Sequence, residues 1–107
     1  MLDINNALHY YRWMIKGFAD KETEKLWNRE RSKVVPAHLQ RGALRKLTQL
    51  NNAEDLNDLR IPPGNKLEKL SGERAGQHSI RINIQHRVCF VWEDGDAYDV
   101  EIVDYHR

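Results

Sequence analysis

The sequence contains one cysteine and no long apolar run, and both absences restrict the class of protein. Cys89 has no second cysteine with which to form a disulfide, which is typical of a reducing cytoplasm. Because it falls within a predicted strand, we expect Cys89 to be buried rather than to act as a nucleophile. No stretch approaches the roughly 20 apolar residues of a membrane span, and residues 1–13 lack the basic and apolar regions of a secretory signal. These absences predict a cytoplasmic protein without a membrane segment.

Two common ligand-binding patterns are also missing. The histidines show no His-x-x-x-His spacing and no paired cysteines accompany them, so the sequence indicates no zinc site. The five histidines are His9, His38, His78, His86 and His106. The two glycines around Arg74 are not followed by the Gly-Lys-Ser/Thr of a phosphate-binding P-loop. We therefore expect neither a metal nor another cofactor.

The size and charge of the chain indicate a single domain of ordinary composition. Its 107 residues are enough for one hydrophobic core, and 40% hydrophobic and 31% charged residues are typical of a soluble protein. Six of the 16 acidic residues lie in residues 93–107, which leaves residues 1–92 with a net positive charge. A basic body favours nucleic-acid binding, although it is also typical of a solvated surface.

Three consecutive β-strands are predicted within residues 77–106. Apolar and polar residues alternate there with the period of two of a half-buried strand, and an acidic Asp-Gly pair suits a hairpin turn. The predicted core-facing residues are Ile80, Ile82, Ile84, Val88, Phe90, Trp92, Tyr98, Val100 and Ile102. The register that aligns them places Trp92 near Tyr98 and Val88 near Ile102.

By the same alternation, four polar residues project from the opposite face of this sheet. They are Arg81, Asn83, Arg87 and Tyr105. Guanidinium groups on such a face are suited to phosphate because they donate several hydrogen bonds in a fixed geometry. The sequence therefore predicts a groove for a phosphate-bearing ligand on the face away from the core.

Helices are predicted ahead of the strands. Asp20 is suited to cap a first helix with Trp27 on its buried face, and a second helix is expected from Pro36 to about Asn51. Asn52 is the predicted cap of a short third helix, and a further strand is expected within residues 65–70. This order indicates an α+β fold in which N-terminal helices pack on one face of a small, mainly antiparallel sheet.

The N-terminal region divides into an extension and the start of the domain. Met14–Phe18 is a short strand candidate, whereas residues 1–13 are rich in aromatic residues and differ in character from the rest of the chain. We expect residues 1–13 to be an N-terminal extension and residues 14–107 to form the domain.

Several segments of the chain resemble one protein family. They are Met14–Phe18, Asn65–Gly72, Arg74–Asn83, Arg87–Phe90 and Val100–His106. Together they resemble the HigB toxins, which are RelE-like toxins of type II toxin–antitoxin systems, and in particular the plasmid maintenance system killer proteins. The resemblance spans residues 14–106, and its C-terminal part is specific.

The resemblance implies an activity and a set of partners. It implies a ribosome-dependent mRNA endonuclease, or mRNA interferase, that enters the A site beside the rRNA, cleaves messages during translation and arrests growth. It also implies neutralisation by a HigA-like helix-turn-helix antitoxin, with operator DNA bound only through that antitoxin. The family's reaction is expected to need no metal.

Metal-free RNA cleavage requires a base for the 2′-hydroxyl proton, an acid for the departing 5′ oxygen and a cation for the phosphorane. His106 is the predicted acid or base, because imidazole titrates near neutral pH, and Arg87 is suited to the phosphorane. Tyr105 is predicted to stack on a nucleobase or bind the ribose, and Asp104 to fix the His106 tautomer or the C-terminal backbone. Glu68 is a further candidate base, and an ordinary exposed surface glutamate is the alternative.

A second group of polar residues is predicted to contact RNA. These residues are Lys66, Lys69, Arg74, Arg81 and Asn83. Arg74 belongs to the loop Ser71–Gly76, for which RNA contact and a simple mobile hairpin loop remain alternatives. Some HigB toxins carry histidine at the position of Glu68, another branch carries an acid there, and a lysine occurs at the position of Ser71. By this resemblance the serine removes one phosphate contact, and the two alternatives are weaker catalysis or greater reliance on Lys66, Lys69, Arg74 and Arg81.

Two other functions remain open. ParE-like toxins share the architecture but act without catalysis by binding DNA gyrase, and they generally lack an arginine combined with a Tyr-His ending. A decayed toxin that only binds its antitoxin is the other alternative. Cleaved messages, damaged DNA and the absence of toxicity would distinguish the three.

Overall fold

Four β-strands form one antiparallel sheet in chain order in a computed structural model, which describes residues 14–105. The strands are β1 (Glu68–Lys69), β2 (His78–Arg81), β3 (His86–Glu93) and β4 (Asp96–Asp104). Each pairs antiparallel with its neighbour. The predicted antiparallel sheet and the strand expected within residues 65–70 are confirmed.

Two α-helices pack together on one face of this sheet. They are α1 (Lys21–Trp27) and α2 (Gln40–Asn52), and a 3₁₀ turn at Ala37–Leu39 precedes the second. Asp20 caps α1 as predicted, because its Oδ2 accepts a hydrogen bond from the Thr23 amide at 3.2 Å. The two helices contact β4 and β3 respectively. Fully buried residues fill the space between helices and sheet: Leu47, Leu50, Ile80, Val88, Phe90 and Val100. The α+β architecture is confirmed.

The third helix has a different cap from the predicted one. Asn52 is the last residue of α2, and the following 3₁₀ helix Leu56–Arg60 is capped by Asp55. The Asp55 side chain accepts from the Asn57 amide at 2.8 Å, and the Asp58 Oδ2 accepts from the Asp55 amide at 3.1 Å. This reciprocal arrangement satisfies two otherwise unpaired amides, which a single asparagine side chain does not achieve.

A β-bulge changes the predicted hairpin register at one end. Val88 pairs with Ile102 as predicted, but Trp92 pairs with Ala97, since the register shifts between Cys89 and Val91 on β3. Asp99 on β4 accommodates the extra residue of the bulge by adopting a φ of 51°, in the left-handed region. As a result Ala97 is buried and Tyr98, predicted to face the core, is 37% exposed.

The β2 strand ends earlier than the alternation predicts. It stops at Arg81, and Ile84 is 88% exposed instead of core-facing. The Oδ1 of Asn83 accepts hydrogen bonds from the amides of Gln85 and His86 at 2.8 and 2.6 Å, so the chain turns here. Such local side-chain bonds compete with strand pairing.

Residues 14–19 cover the outer edge of β4. Ile15 and Phe18 form isolated parallel bridges to Ala97 and Val100, in place of the predicted continuous strand. The Oδ1 of Asn51 holds this segment by accepting bonds from the Met14 and Ile15 amides. Residues 1–13 lie outside the described residues, so the expected extension remains a prediction. No helix in residues 14–105 is both long enough and apolar enough to cross a membrane.

Candidate active site

A groove of about 550 Å³ lies on the face of the sheet opposite the helices. Its lining residues are Glu68, Leu70, Arg81, Asn83, Ile84, Gln85, Arg87 and Tyr105. All four residues that the alternation assigned to this face line the groove, so the predicted grouping is confirmed. Strand pairing explains this grouping on one face, because Arg81 lies opposite Arg87 and Glu68 lies opposite Ser79 on the same side of the sheet.

Arg87 is fixed in the groove by contacts to β2 and to the segment before β1. Its Nε donates to the Ser79 Oγ at 2.7 Å, and its Nη2 donates to the Lys66 carbonyl. The Arg87 side chain is only 12% exposed, and Ser79 is fully buried. None of these contacts uses Nη1. The guanidinium is therefore held in one orientation before any ligand binds.

Glu68 reaches the same guanidinium from β1. Its Oε1 lies 3.2 Å from the Arg87 Nη2, while its side chain is 58% exposed. Water screens the Glu68 end of the pair while the Arg87 end is mostly shielded, so the pair contributes on the order of 1 kcal/mol to folding. The carboxylate is therefore accessible to a ligand that enters the groove, and it lies beside the group best suited to bind a phosphate.

Tyr105 ends the groove next to the buried cysteine. Its Oη lies 3.7 Å from the Cys89 Sγ. Burial raises the pKa of the Cys89 thiol, and burial together with the Cys89 contact raises the pKa of Tyr105. Both groups are consequently protonated near neutral pH, so Tyr105 offers a hydroxyl and a ring face rather than a phenolate. The predicted burial of Cys89 is confirmed.

His106, the predicted acid or base of the C-terminal triplet, lies beyond the described residues. Its expected contacts with Asp104 and Arg87 therefore stay predictions. Asp104 accepts a hydrogen bond from the Gln85 Nε2 at 3.1 Å, and the Tyr105 amide donates to the Gln85 carbonyl at 2.6 Å. These two bonds tie the end of β4 to the turn after β2.

Three of the predicted RNA contacts lie at the groove or beside it. Arg81 donates from its Nε to the Asn83 carbonyl at 3.1 Å, and the Asn83 side chain holds the turn. Lys66 is exposed and adopts a φ of 47°, and its carbonyl receives the Arg87 bond. Arg81 is thus a cation of the groove wall, whereas Asn83 and the Lys66 backbone have an evident structural role.

The other two predicted contacts are placed differently. Lys69 pairs with His78, whose ring stacks on the core residue Phe90, so Lys69 lies on the helix side of the sheet. Arg74 is held by Glu101, with 2.8 Å between the Arg74 Nη1 and the Glu101 Oε1. This hydrogen bond raises the pKa of the guanidinium further. The Gly72–Arg74 segment forms a hydrogen-bonded 3₁₀ turn, and both interpretations of this loop, RNA contact and a mobile hairpin loop, stay predictions.

The alternation left two residues of the site without a role. Ser79 has the same strand parity as Arg81, but only the β1–β2–β3 pairing shows that its hydroxyl accepts a hydrogen bond from Arg87. Ile84 was assigned to the core, and no pattern in the sequence signals the turn that exposes it. Within residues 14–105, no three His, Cys, Asp or Glu side chains come together as a possible metal site.

A guanidinium, a carboxylate and a phenol in one groove can bind an anionic phosphodiester and exchange a proton with a hydroxyl group beside it. The model of the family described as "RelE-like toxin of type II toxin-antitoxin system HigB" matches residues 16–106 of this chain. The chain belongs to the HigB-like toxin family. The predicted resemblance is confirmed over almost the whole described region.

Two curated relatives are similar over most of their length. "Toxin HigB-1" of Vibrio cholerae is 40% identical over 91 residues, which cover 84% of this chain and 95% of that protein. "Endoribonuclease HigB" of Proteus vulgaris is 31% identical over 93 residues, covering 87% of this chain and 100% of that protein. As a HigB-like toxin of a type II toxin–antitoxin system, the protein has an antitoxin as its partner.

Proposed function

We propose that this toxin is a metal-independent endoribonuclease that cleaves mRNA on the ribosome and thereby stops translation and growth. The observation that carries the proposal is the fixed Arg87 guanidinium beside the accessible Glu68 carboxylate in one groove. Support also comes from the similarity to the endoribonuclease of Proteus vulgaris along that protein's full length.

Arg87 stabilises the negative charge that develops on the phosphorane. Its Nε and Nη2 are already bound to protein acceptors, so the side chain loses little freedom when a phosphate arrives. A preorganised donor of this kind is typically worth roughly 10²- to 10³-fold in rate. Because guanidinium stays charged throughout, Arg87 acts as an electrostatic group and takes no part in proton transfer.

Glu68 is the base in this mechanism, and His106 is the acid. Glu68 removes the 2′-hydroxyl proton, the 2′ oxygen attacks phosphorus, and the bond from phosphorus to the 5′ oxygen breaks. The leaving 5′ oxygen receives a proton from His106, which leaves a 2′,3′-cyclic phosphate and a 5′-hydroxyl. All atoms are accounted for without a metal. Asp104 is assigned to orient His106 or the backbone that precedes it.

The remaining groove residues bind the RNA chain. Tyr105 is protonated near neutral pH and offers its ring to a nucleobase or its hydroxyl to a ribose. Arg81 supplies a second cation on the groove wall. Lys66 is an exposed cation whose backbone carbonyl contacts Arg87. Lys69 and Arg74 lie outside the groove lining, and any RNA contact they make is to more distant phosphates.

The ribosomal A site is the proposed place of action, with rRNA and translated mRNA as the partners in the cytoplasm. The antitoxin is proposed to be a HigA-like helix-turn-helix protein that neutralises the toxin and carries it to operator DNA. Co-expression tests this part of the proposal. The antitoxin is expected to restore growth to cells that produce the toxin.

Induced expression of the wild type, Arg87→Ala and Arg45→Ala tests the activity. Arg45 is an exposed arginine on α2, outside the groove, and therefore serves as the matched control. We expect the wild type and Arg45→Ala to stop growth and to generate new message 5′ ends. Arg87→Ala should do neither. The new ends should be absent from a reporter message whose start codon has been removed, because that message is not translated.

Three outcomes would overturn the proposal. Full toxicity of Arg87→Ala would remove Arg87 from the mechanism. Intact messages accompanied by DNA damage would indicate a gyrase-binding toxin, and no toxicity of the wild type would indicate a protein that only binds its antitoxin.

A further inference from the structure

Ile84 is an apolar side chain held in water at the rim of the groove. It is 88% exposed, more than Ile61 at 76%, and it lines the groove together with Arg81 and Arg87. Single exposed apolar residues are common on protein surfaces, so exposure by itself indicates nothing. The position of Ile84 beside two groove cations is the informative feature.

The turn that carries Ile84 is fixed by hydrogen bonds. The Asn83 Oδ1 receives the amides of Gln85 and His86, and the Ile82 amide donates to the His86 carbonyl at 2.9 Å. The Arg81 Nε also donates to the Asn83 carbonyl. Ile84 is therefore presented by a defined turn and not by a frayed strand end, and little ordering entropy is lost when a ligand covers it.

The composition of the groove selects the chemistry of the ligand that covers Ile84. Two cations, Arg81 and Arg87, and one acid, Glu68, provide the charges, while Leu70 and Ile84 provide apolar surface. A single-stranded nucleic acid alternates charged phosphates with flat, largely apolar bases, and a groove that combines cations with apolar surface matches this alternation. A small free anion would leave Ile84 uncovered.

We propose that Ile84 packs against a nucleobase next to the phosphodiester held by Arg87, and that it sets RNA affinity and base preference at that position. The inference rests on the proposed ribonuclease activity and adds a contact to its site. Ile84 has no group that transfers protons or stabilises charge. Its loss therefore weakens binding of the RNA and leaves the chemical step intact.

Cleavage of ribosome-bound mRNA by purified toxin variants tests the inference. We expect Ile84→Ser to raise KM about five- to tenfold with kcat unchanged. A tenfold change in affinity corresponds to about 1.4 kcal/mol. Ile84→Leu, which restores apolar surface, should recover the wild-type KM. Ile61→Ser is the matched control, because Ile61 is similarly exposed and lies outside the groove lining. Sequencing of cleaved ends should show a changed base preference only for Ile84→Ser.

The outcomes separate this inference from the activity on which it rests. If the wild type does not cleave mRNA, the proposed function fails and the inference fails with it. If the wild type cleaves and Ile84→Ser matches Ile61→Ser in KM and base preference, only the inference is overturned. Weaker antitoxin binding by Ile84→Ser, with KM unchanged, would show that the side chain faces a protein. Equal urea midpoints for all variants would confirm that folding is unaffected.

Discussion

The Glu68 carboxylate meets the Arg87 guanidinium at 3.2 Å by reaching past the intervening strand β2. The two residues come from β1 and β3, and both also neighbour Ser79, which pairs with Glu68 and accepts the Arg87 Nε bond. Because Glu68 is 58% exposed, the pair contributes little to stability. Substitution of Glu68 therefore reports on chemistry and not on folding.

Glu68→Gln should remove the base while keeping the shape of the side chain. We expect kcat for message cleavage to fall roughly 10²- to 10⁴-fold, the range typical of a general base, with the urea midpoint unchanged. Glu73→Gln is the matched control, since Glu73 is an exposed acid outside the groove lining. Faster cleavage or tighter RNA binding by Glu68→Gln would instead show that the carboxylate competes with phosphate for Arg87.

Ser79→Ala should affect activity through Arg87. Ser79 is fully buried and its Oγ accepts the Nε bond at 2.7 Å, so the alanine variant leaves the guanidinium without one of its fixing contacts. We expect kcat to fall at least about tenfold, since small displacements of a catalytic group are costly. Loss of a hydrogen bond to a charged group should also lower the free energy of unfolding by about 1.5–3 kcal/mol.

A double-mutant cycle distinguishes a positioning role of Ser79 from a purely structural one. In an Arg87→Ala background, Ser79→Ala should cause no further loss of activity, because the group it positions is already absent. Additive losses of activity in the two backgrounds would contradict the positioning role. Urea unfolding of the same four proteins separates the effect on stability.

The alternation of apolar and polar residues predicted much of the sheet because burial alone decides which face a side chain takes. It predicted β3, the pairing of Val88 with Ile102, and the face that carries Arg87 and Tyr105. It failed where a single polar residue redirects the backbone. Asn83 ends β2 with its side-chain bonds, and Asp99 adopts a left-handed conformation at the bulge. Neither the turn at Asn83 nor the bulge at Asp99 repeats along the chain, so the alternation of residues cannot predict them.

The long-range ion pairs of Arg87 and Arg74 depended on information that the sequence pattern does not contain. The ion pairs of Arg87 with Glu68 and of Arg74 with Glu101 join residues that are distant in the chain. Each requires a strand register together with a particular direction of a long side chain. Strand parity can place such residues on one face, but it does not determine which pairs meet.

Thr23→Val should destabilise the fold without changing the site. The Thr23 Oγ1 is buried and accepts the Ile102 amide at 3.0 Å, which joins α1 to the edge of β4. Valine has nearly the same shape but no acceptor, so a buried amide is left unpaired at a cost of about 1–3 kcal/mol. Thr23→Ser keeps the hydroxyl and should preserve more of the stability. The comparison is made from urea midpoints at constant m value, and equal midpoints for valine and wild type would contradict the role of this bond.

The buried thiol of Cys89 should make the protein less stable at alkaline pH. Burial raises the pKa of Cys89 in the folded state, so the unfolded chain loses the thiol proton first as pH increases. The contribution to stability is therefore complete below the unfolded thiol pKa of about 8.5 and is lost as pH rises above it, by at most about 1.4 kcal/mol per pH unit. Cys89→Ala should show a shallower fall in urea midpoint over this range. Tyr105 contributes in the same direction, and Cys89→Ala should reduce that contribution too, because burial and the Cys89 contact together raise the pKa of Tyr105. Equal slopes for wild type and Cys89→Ala, or rapid alkylation of the folded wild type at pH values of about 8, would show that the thiol is not shielded.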